Sequence, residues 1–152
     1  DVLLPQLGEQ SVRIINLRTN VARCWMWLGQ DAQAERLFRE ELARVRPARE
    51  PMDPLVQSLR YETAHALLNQ GRPGDAAVLM DGLDPAALGK VALADDWPAR
   101  LQFERGRLAR LQGDQAGARA AFEQVKQLLQ GKGEDARIPA ALLAELLTPL
   151  RR

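Results

Sequence analysis

The sequence predicts an all-α chain built from a repeated helix–turn–helix unit, and three observations carry that prediction. Ala and Leu dominate, aromatic residues are 5% and β-branched residues are sparse, a composition that favours helices. Three glycines follow similar lead-ins, Gly29 in "WLGQDAQA", Gly71 in "NQGRPGDA" and Gly113 in "LQGDQAGA", and each lies 42 residues from the next. Other columns keep the same step: Leu17, Leu59 and Leu101; the small residues Ala22, Ala64 and Gly106; then Ala34, Ala76 and Ala118; then Phe38, Met80 and Phe122. A fixed period of this length is the signature of a repeat architecture.

The elements follow in order. In the first copy Ile14, Leu17, Val21, Trp25 and Leu28 recur at three- and four-residue steps and predict one helix. Gly29 ends it, because glycine tolerates the left-handed backbone of a helix C-terminus. Asp31 is expected to cap the next helix, whose apolar stripe is Ala34, Leu37, Phe38, Leu42 and Val45. Pro47, Pro51 and Pro54 then interrupt the chain in "PAREPMDP". Asp53-Pro54 and Asp84-Pro85 both read as helix starts, with Asp as cap and Pro in the first turn, the second opening one short turn. The repeats span about 14–47, 53–88 and 96–130. After the hydrophilic break "GKGED", a last helix over 136–150 is expected to cap the array. Val2-Leu3-Leu4 falls in register with the tail of a preceding second helix, and the chain starts at Asp1 without Met. Both suggest a piece of a longer protein, read here as a single domain over 1–152.

Lys+Arg 21 against Asp+Glu 20 leaves a formal charge of +1, which argues against a strongly basic nucleic-acid module. No apolar run reaches the roughly 18–20 residues that span a membrane, and no signal peptide is legible. A cytoplasmic location is the expectation. The single cysteine, Cys24, allows no intrachain disulfide.

At these columns the chain resembles the tetratricopeptide repeat family. The matching residues are Ala22-Gly29-Ala34-Phe38, Ala64-Gly71-Ala76-Met80 and Gly106-Gly113-Ala118-Phe122. The period of 42 looks like the longer variety seen in kinesin light chains and many bacterial regulatory proteins, and "LGEQSVRIINLRTNVA" resembles the lead-in to such a repeat. The column that the family usually fills with Trp holds Arg18, Arg60 and Gln102. The resemblance implies an α-solenoid of stacked antiparallel helix pairs with a concave face that binds proteins or peptides. It also implies which positions line that face. Copy one supplies Asn16, Thr19, Arg23, Met26 and Trp27; copy two supplies Ser58, Tyr61, His65, Leu68 and Asn69; copy three supplies Arg100, Phe103, Arg107, Arg110 and Leu111. These positions hold four Arg, one His and no acid, which suits an extended peptide with acidic groups or a free C-terminal carboxylate. Trp27, Tyr61 and Phe103 are expected to form apolar pockets, whereas Trp25, on the apolar stripe, is expected in the core. Trp97, before Pro98, is expected to pack on the neighbouring repeat.

No catalytic constellation is legible, and neither an enzyme nor a cofactor is expected. Cys24 aligns with Ala66 and Leu108 beside the apolar stripe and reads as a buried, inert thiol. No C-x-x-C or H-x-x-x-H spacing suggests a metal. "GRPGDA" and "GKGED" follow no strand and read as turns, while Glu40-Glu41 and Asp95-Asp96 read as solvated or capping acids. The leading functional expectation is an interaction module. Its alternatives are a regulatory domain of a larger signalling enzyme such as a protein kinase, or the sensory part of a transcription activator. An end-to-end homodimer is also compatible with exposed apolar end faces.

Overall fold

The computed structural model describes residues 11–90 and 96–130. The expected cap over 136–150 and the register at Val2–Leu4 lie outside the described residues. Among those residues the chain is all-α. Its helices are α1 (Val12–Trp27), α2 (Asp31–Val45), α3 (Pro54–Asn69), α4 (Pro73–Met80), α5 (Pro85–Gly89), α6 (Trp97–Leu111) and α7 (Gln115–Leu129), with one 3₁₀ turn at Arg46–Ala48. No helix among the described residues is long and apolar enough to cross a membrane.

The three periodic glycines do the same work in each copy. Their φ angles are +72°, +68° and +84° for Gly29, Gly71 and Gly113. Gln30 N–H donates to the Trp25 carbonyl at 2.8 Å, Arg72 N–H to Leu67 at 3.0 Å and Asp114 N–H to Ala109 at 2.9 Å. The glycine N–H groups donate to Met26, Leu68 and Arg110. This pair of bonds satisfies otherwise orphaned carbonyls at the helix end, and it needs a left-handed residue where glycine stands. Asp53 and Asp84 cap as expected, accepting from Leu55 N–H at 2.9 Å and Ala86 N–H at 3.0 Å. Asp31 does not cap. It is the first residue of α2, and its carboxylate accepts from Asn69 on α3 instead.

The apolar side chains form three linked clusters. Ile15 and Ala22 of α1 pack with Phe38, Leu42 and Val45 of α2 and with Leu59 and Ala66 of α3. Ala64 and Leu67 of α3 pack with Met80 of α4 and Leu101 of α6. Phe103 of α6 packs with Phe122 and Val125 of α7. The core is therefore strung along the chain, each part shared by sequential neighbours. Trp97 is buried and meets Tyr61 of α3 edge-on, with centroids 5.1 Å apart.

Four sequence expectations fail here, three of them on α1. Ile15, Thr19 and Ala22 face the core, while Leu17, Val21 and Leu28 are exposed and Trp25 is only half-buried. Cys24 is exposed rather than buried. The reason is shared: these side chains lie on a side of α1 that no described helix covers. Glu41, read as solvated, is fully buried where α2 faces α1, in ion pairs with Arg18 and Arg44.

The small-residue column marks close helix approach. A Cβ built on Gly106 would lie 2.4 Å from the Phe122 ring, which is itself fully buried and has nowhere to move. Gly106→Ala should therefore destabilise by about 1–2 kcal/mol, the overpacking cost less the better helix propensity of alanine. Urea titration checks this, and Phe122→Leu in the same chain should restore part of the loss.

Candidate polar ladder on α1, α3 and α6

Helices α1, α3 and α6 are joined by charged side chains repeating near the period. Arg23 on α1 donates through Nε to Glu62 Oε1 on α3 at 2.8 Å, and through Nη1 to Asn20 Oδ1 at 3.0 Å. One period on, His65 Nδ1 on α3 meets Glu104 Oε1 on α6 at 2.7 Å. Both pairs are 39 residues apart. Arg107 closes the second pair, donating to Glu104 Oε2 at 2.9 Å and to Asn69 Oδ1 at 2.7 Å. Asn69 Nδ2 in turn donates to Asp31 Oδ1 at 2.7 Å. The result is a ladder of two rungs, one joining α1 to α3 and the other joining α3 to α6 and, through Asp31, to α2.

Glu62 and Glu104 are buried beneath this row. Burial opposes ionisation of Glu104, but the hydrogen bonds and charges of His65 and Arg107 outweigh it and hold its carboxyl below the usual carboxylate range. Burial likewise disfavours the His65 imidazolium, yet Glu104 outweighs that and raises the imidazole above its ordinary value. Burial, then the nearby Glu104 and Glu62 charges, push the Tyr61 phenol well up. Tyr61 stacks with His65 at 6.3 Å between centroids.

The fifteen positions expected to line a groove divide sharply. Thr19, Ser58, Leu68 and Phe103 are buried and cannot touch a ligand. Thr19 Oγ1 donates to the Ile15 carbonyl at 2.7 Å, Leu68 belongs to the second cluster, and Phe103 rests on Phe122 with centroids 5.8 Å apart. Met26 and Tyr61 are half-buried against the core. Arg100 pairs with Asp96 at 2.8 Å and lies 5.0 Å over the Trp97 ring. Asn16, Trp27, Asn69 and Leu111 are exposed, and Arg23, His65, Arg107 and Arg110 are partly so. Trp27 is the extreme, 86% exposed.

The acid-free reading of this face does not hold. The acids stand one turn away, in the column Asn20, Glu62, Glu104; Glu62 reaches Arg23 and Glu104 reaches His65 across to the preceding helix of the row, while Glu104 also holds Arg107 on its own helix. A basic column lying 39 residues ahead of an acidic one was a signal present in the sequence. Among the described residues, Arg110 alone of the four arginines on this face makes no ion pair. The described residues hold no group of three His, Cys, Asp or Glu side chains placed to bind a metal ion. No family model matches the chain, and no curated protein matches it.

Proposed function

We propose that the chain is a short tetratricopeptide-like solenoid that binds a protein or an extended peptide on the face formed by α1, α3 and α6. The 42-residue columns, the three identical helix endings and the strung-out core support the stacked architecture. The observation that carries the binding reading is Trp27. It is an indole 86% exposed, at the end of α1, in the same repeat column as Asn69 and Leu111. A large aromatic with a free polar edge is the side chain most often found anchoring a partner.

The ladder alters the chemistry expected of that partner. Arg23 and Arg107 are already engaged by buried carboxylates, so their charge is compensated before any ligand arrives. Selection by negative charge is left mainly to Arg110. The Asn69 amide is engaged too, by Arg107 and Asp31, so the favoured partner is one that carries an apolar anchor residue for Trp27.

The test is selection from a displayed random-peptide library against the whole chain, followed by calorimetry on the enriched peptides. Trp27→Ala should weaken binding at least about ten-fold while moving stability by no more than about 0.5 kcal/mol. Enriched peptides should carry a large apolar residue at one fixed position. Failure to enrich any peptide, or binding indifferent to Trp27, would remove this reading.

A further inference from the structure

Arg18 and Arg60 stand in one repeat column, and only the first is answered by acids. Arg18 on α1 is held by Glu40 and Glu41 of α2. One period on, those two positions hold Gly82 and Leu83. Among the described residues Arg60 on α3 makes no ion pair, and its Nη2 donates to the main-chain carbonyl of Asp81, a neutral acceptor. Arg46, in the 3₁₀ turn after α2, is a second uncompensated charge. Its counterpart one period on is the fully buried Leu88, whereas Arg46 is exposed and, among the described residues, its side chain has no ion pair or hydrogen bond. Both arginines line one cleft of about 490 Å³ formed by the end of α2, α3 and α4. Its lining is otherwise largely aliphatic: Leu42 and Val56 are buried, Leu79 is half-buried and Val78 is 74% exposed. Arg49 lines it too, but Asp53 pairs with that charge at 2.8 Å. No acidic side chain lines the cleft. Burial first, then the Arg46 charge, hold the Arg60 guanidinium below its ordinary value, and Asp81 pulls the other way more weakly. Two like charges thus share one aliphatic space.

We propose that this cleft binds a small amphiphilic anion, a short aliphatic chain ending in a carboxylate or a phosphate. The anionic head lies between Arg46 and Arg60 and relieves their repulsion. Arg46, engaged by no described side chain, offers the planar fork that suits two anionic oxygens. The chain lies over Val56, Leu79 and Val78 and takes the exposed Val78 out of water. A cleft of this size suits one small organic molecule. A neutral apolar ligand leaves the two charges opposed, and a cation adds a third to them. The site is independent of the peptide-binding reading. Val56 and His65 are nine residues apart, which at about 100° per residue puts them on opposite sides of α3.

The experiment is calorimetric titration of the whole chain at fixed ionic strength with octanoate, octyl phosphate, the neutral octanol and inorganic phosphate. At least one of the two amphiphilic anions should saturate a single site with a Kd below about 1 mM, and the tighter of them assigns the head group. Octanol and inorganic phosphate should each bind at least about ten-fold more weakly, because each supplies only half of the contact. Arg46→Glu should weaken binding of the anion at least about ten-fold without loss of helical signal, since an exposed position tolerates the change. Val78→Glu, also at an exposed position, should weaken it too by setting a like charge beside the chain. Arg119→Glu, the same change of charge on α7, should leave binding unaltered. Octanol binding as tightly as the anions would mean apolar adhesion alone, and inorganic phosphate binding as tightly would mean a diffuse basic surface. Either result, failure of both anions to bind, or indifference to Arg46→Glu would overturn the proposal.

Discussion

Glu104→Ala should lower the stability of the chain by about 3 kcal/mol, because it strips a buried carboxylate from two cationic partners. Glu104 is 3% exposed and bonded to both His65 and Arg107. Arg107 and His65 keep some contact with water, which places the cost at the lower end of the range for a broken buried pair. Urea titration of the two proteins measures it. The same pair sets a pH dependence. The His65 pKa is raised in the folded chain, so its contribution is complete below the unfolded imidazole value and is lost as pH rises through the folded one. The Glu104 pKa is lowered, so its contribution is complete above the unfolded carboxylate value and is lost as pH falls through the folded one. The ladder is strongest between these limits, in mildly acidic solution. His65→Asn should flatten the decline on the alkaline side. An unchanged profile in that variant would show that His65 and Glu104 are not coupled.

Phe38→Ala should cost about 3–5 kcal/mol, the largest loss expected from a single truncation. The ring is fully buried at the junction of α1, α2 and α3, so its removal takes packing from three helices and leaves a cavity that none can fill alone. Trp25→Ala, of a larger side chain, should cost only about 1–2 kcal/mol. Trp25 is half-buried and borders the open cleft on α1, so water enters the space it leaves and the cavity cost falls away. Thermal and urea denaturation of the two variants separates the cases. Equal losses would mean that the face of α1 carrying Leu17 and Val21 is covered after all.

Much of the fold was legible because its rules are local. A left-handed residue is needed wherever a helix ends in the paired hydrogen bonds seen at Gly29, Gly71 and Gly113, and glycine supplies it at least strain. The stripe of α2 alternates at helical spacing, and all five of its predicted residues are buried. The stripe of α1 was misread because periodicity tells which residues share a face, never whether a neighbour covers that face. Leu17 and Leu59 stand in one column, and among the described helices only the second has one lying on it. The same lack of a neighbour exposes Cys24, against the burial its column suggested.

The proposed binding face shows the same division between residue identity and residue availability. Its lining positions are those that the family resemblance implies. Which of them remain available depended on where the acids reach: Glu62 to Arg23 and Glu104 to His65, each 39 residues away on another helix, and Glu104 to Arg107 one turn along its own. The sequence by itself determined the helical class, the period of 42, the helix ends and the close-approach column, since each is encoded by a residue's own backbone preference or size. Only the tertiary structure decided which charges are already compensated and which apolar faces lie bare. Those properties belong to the space between helices, and a chain read one residue at a time does not contain that space.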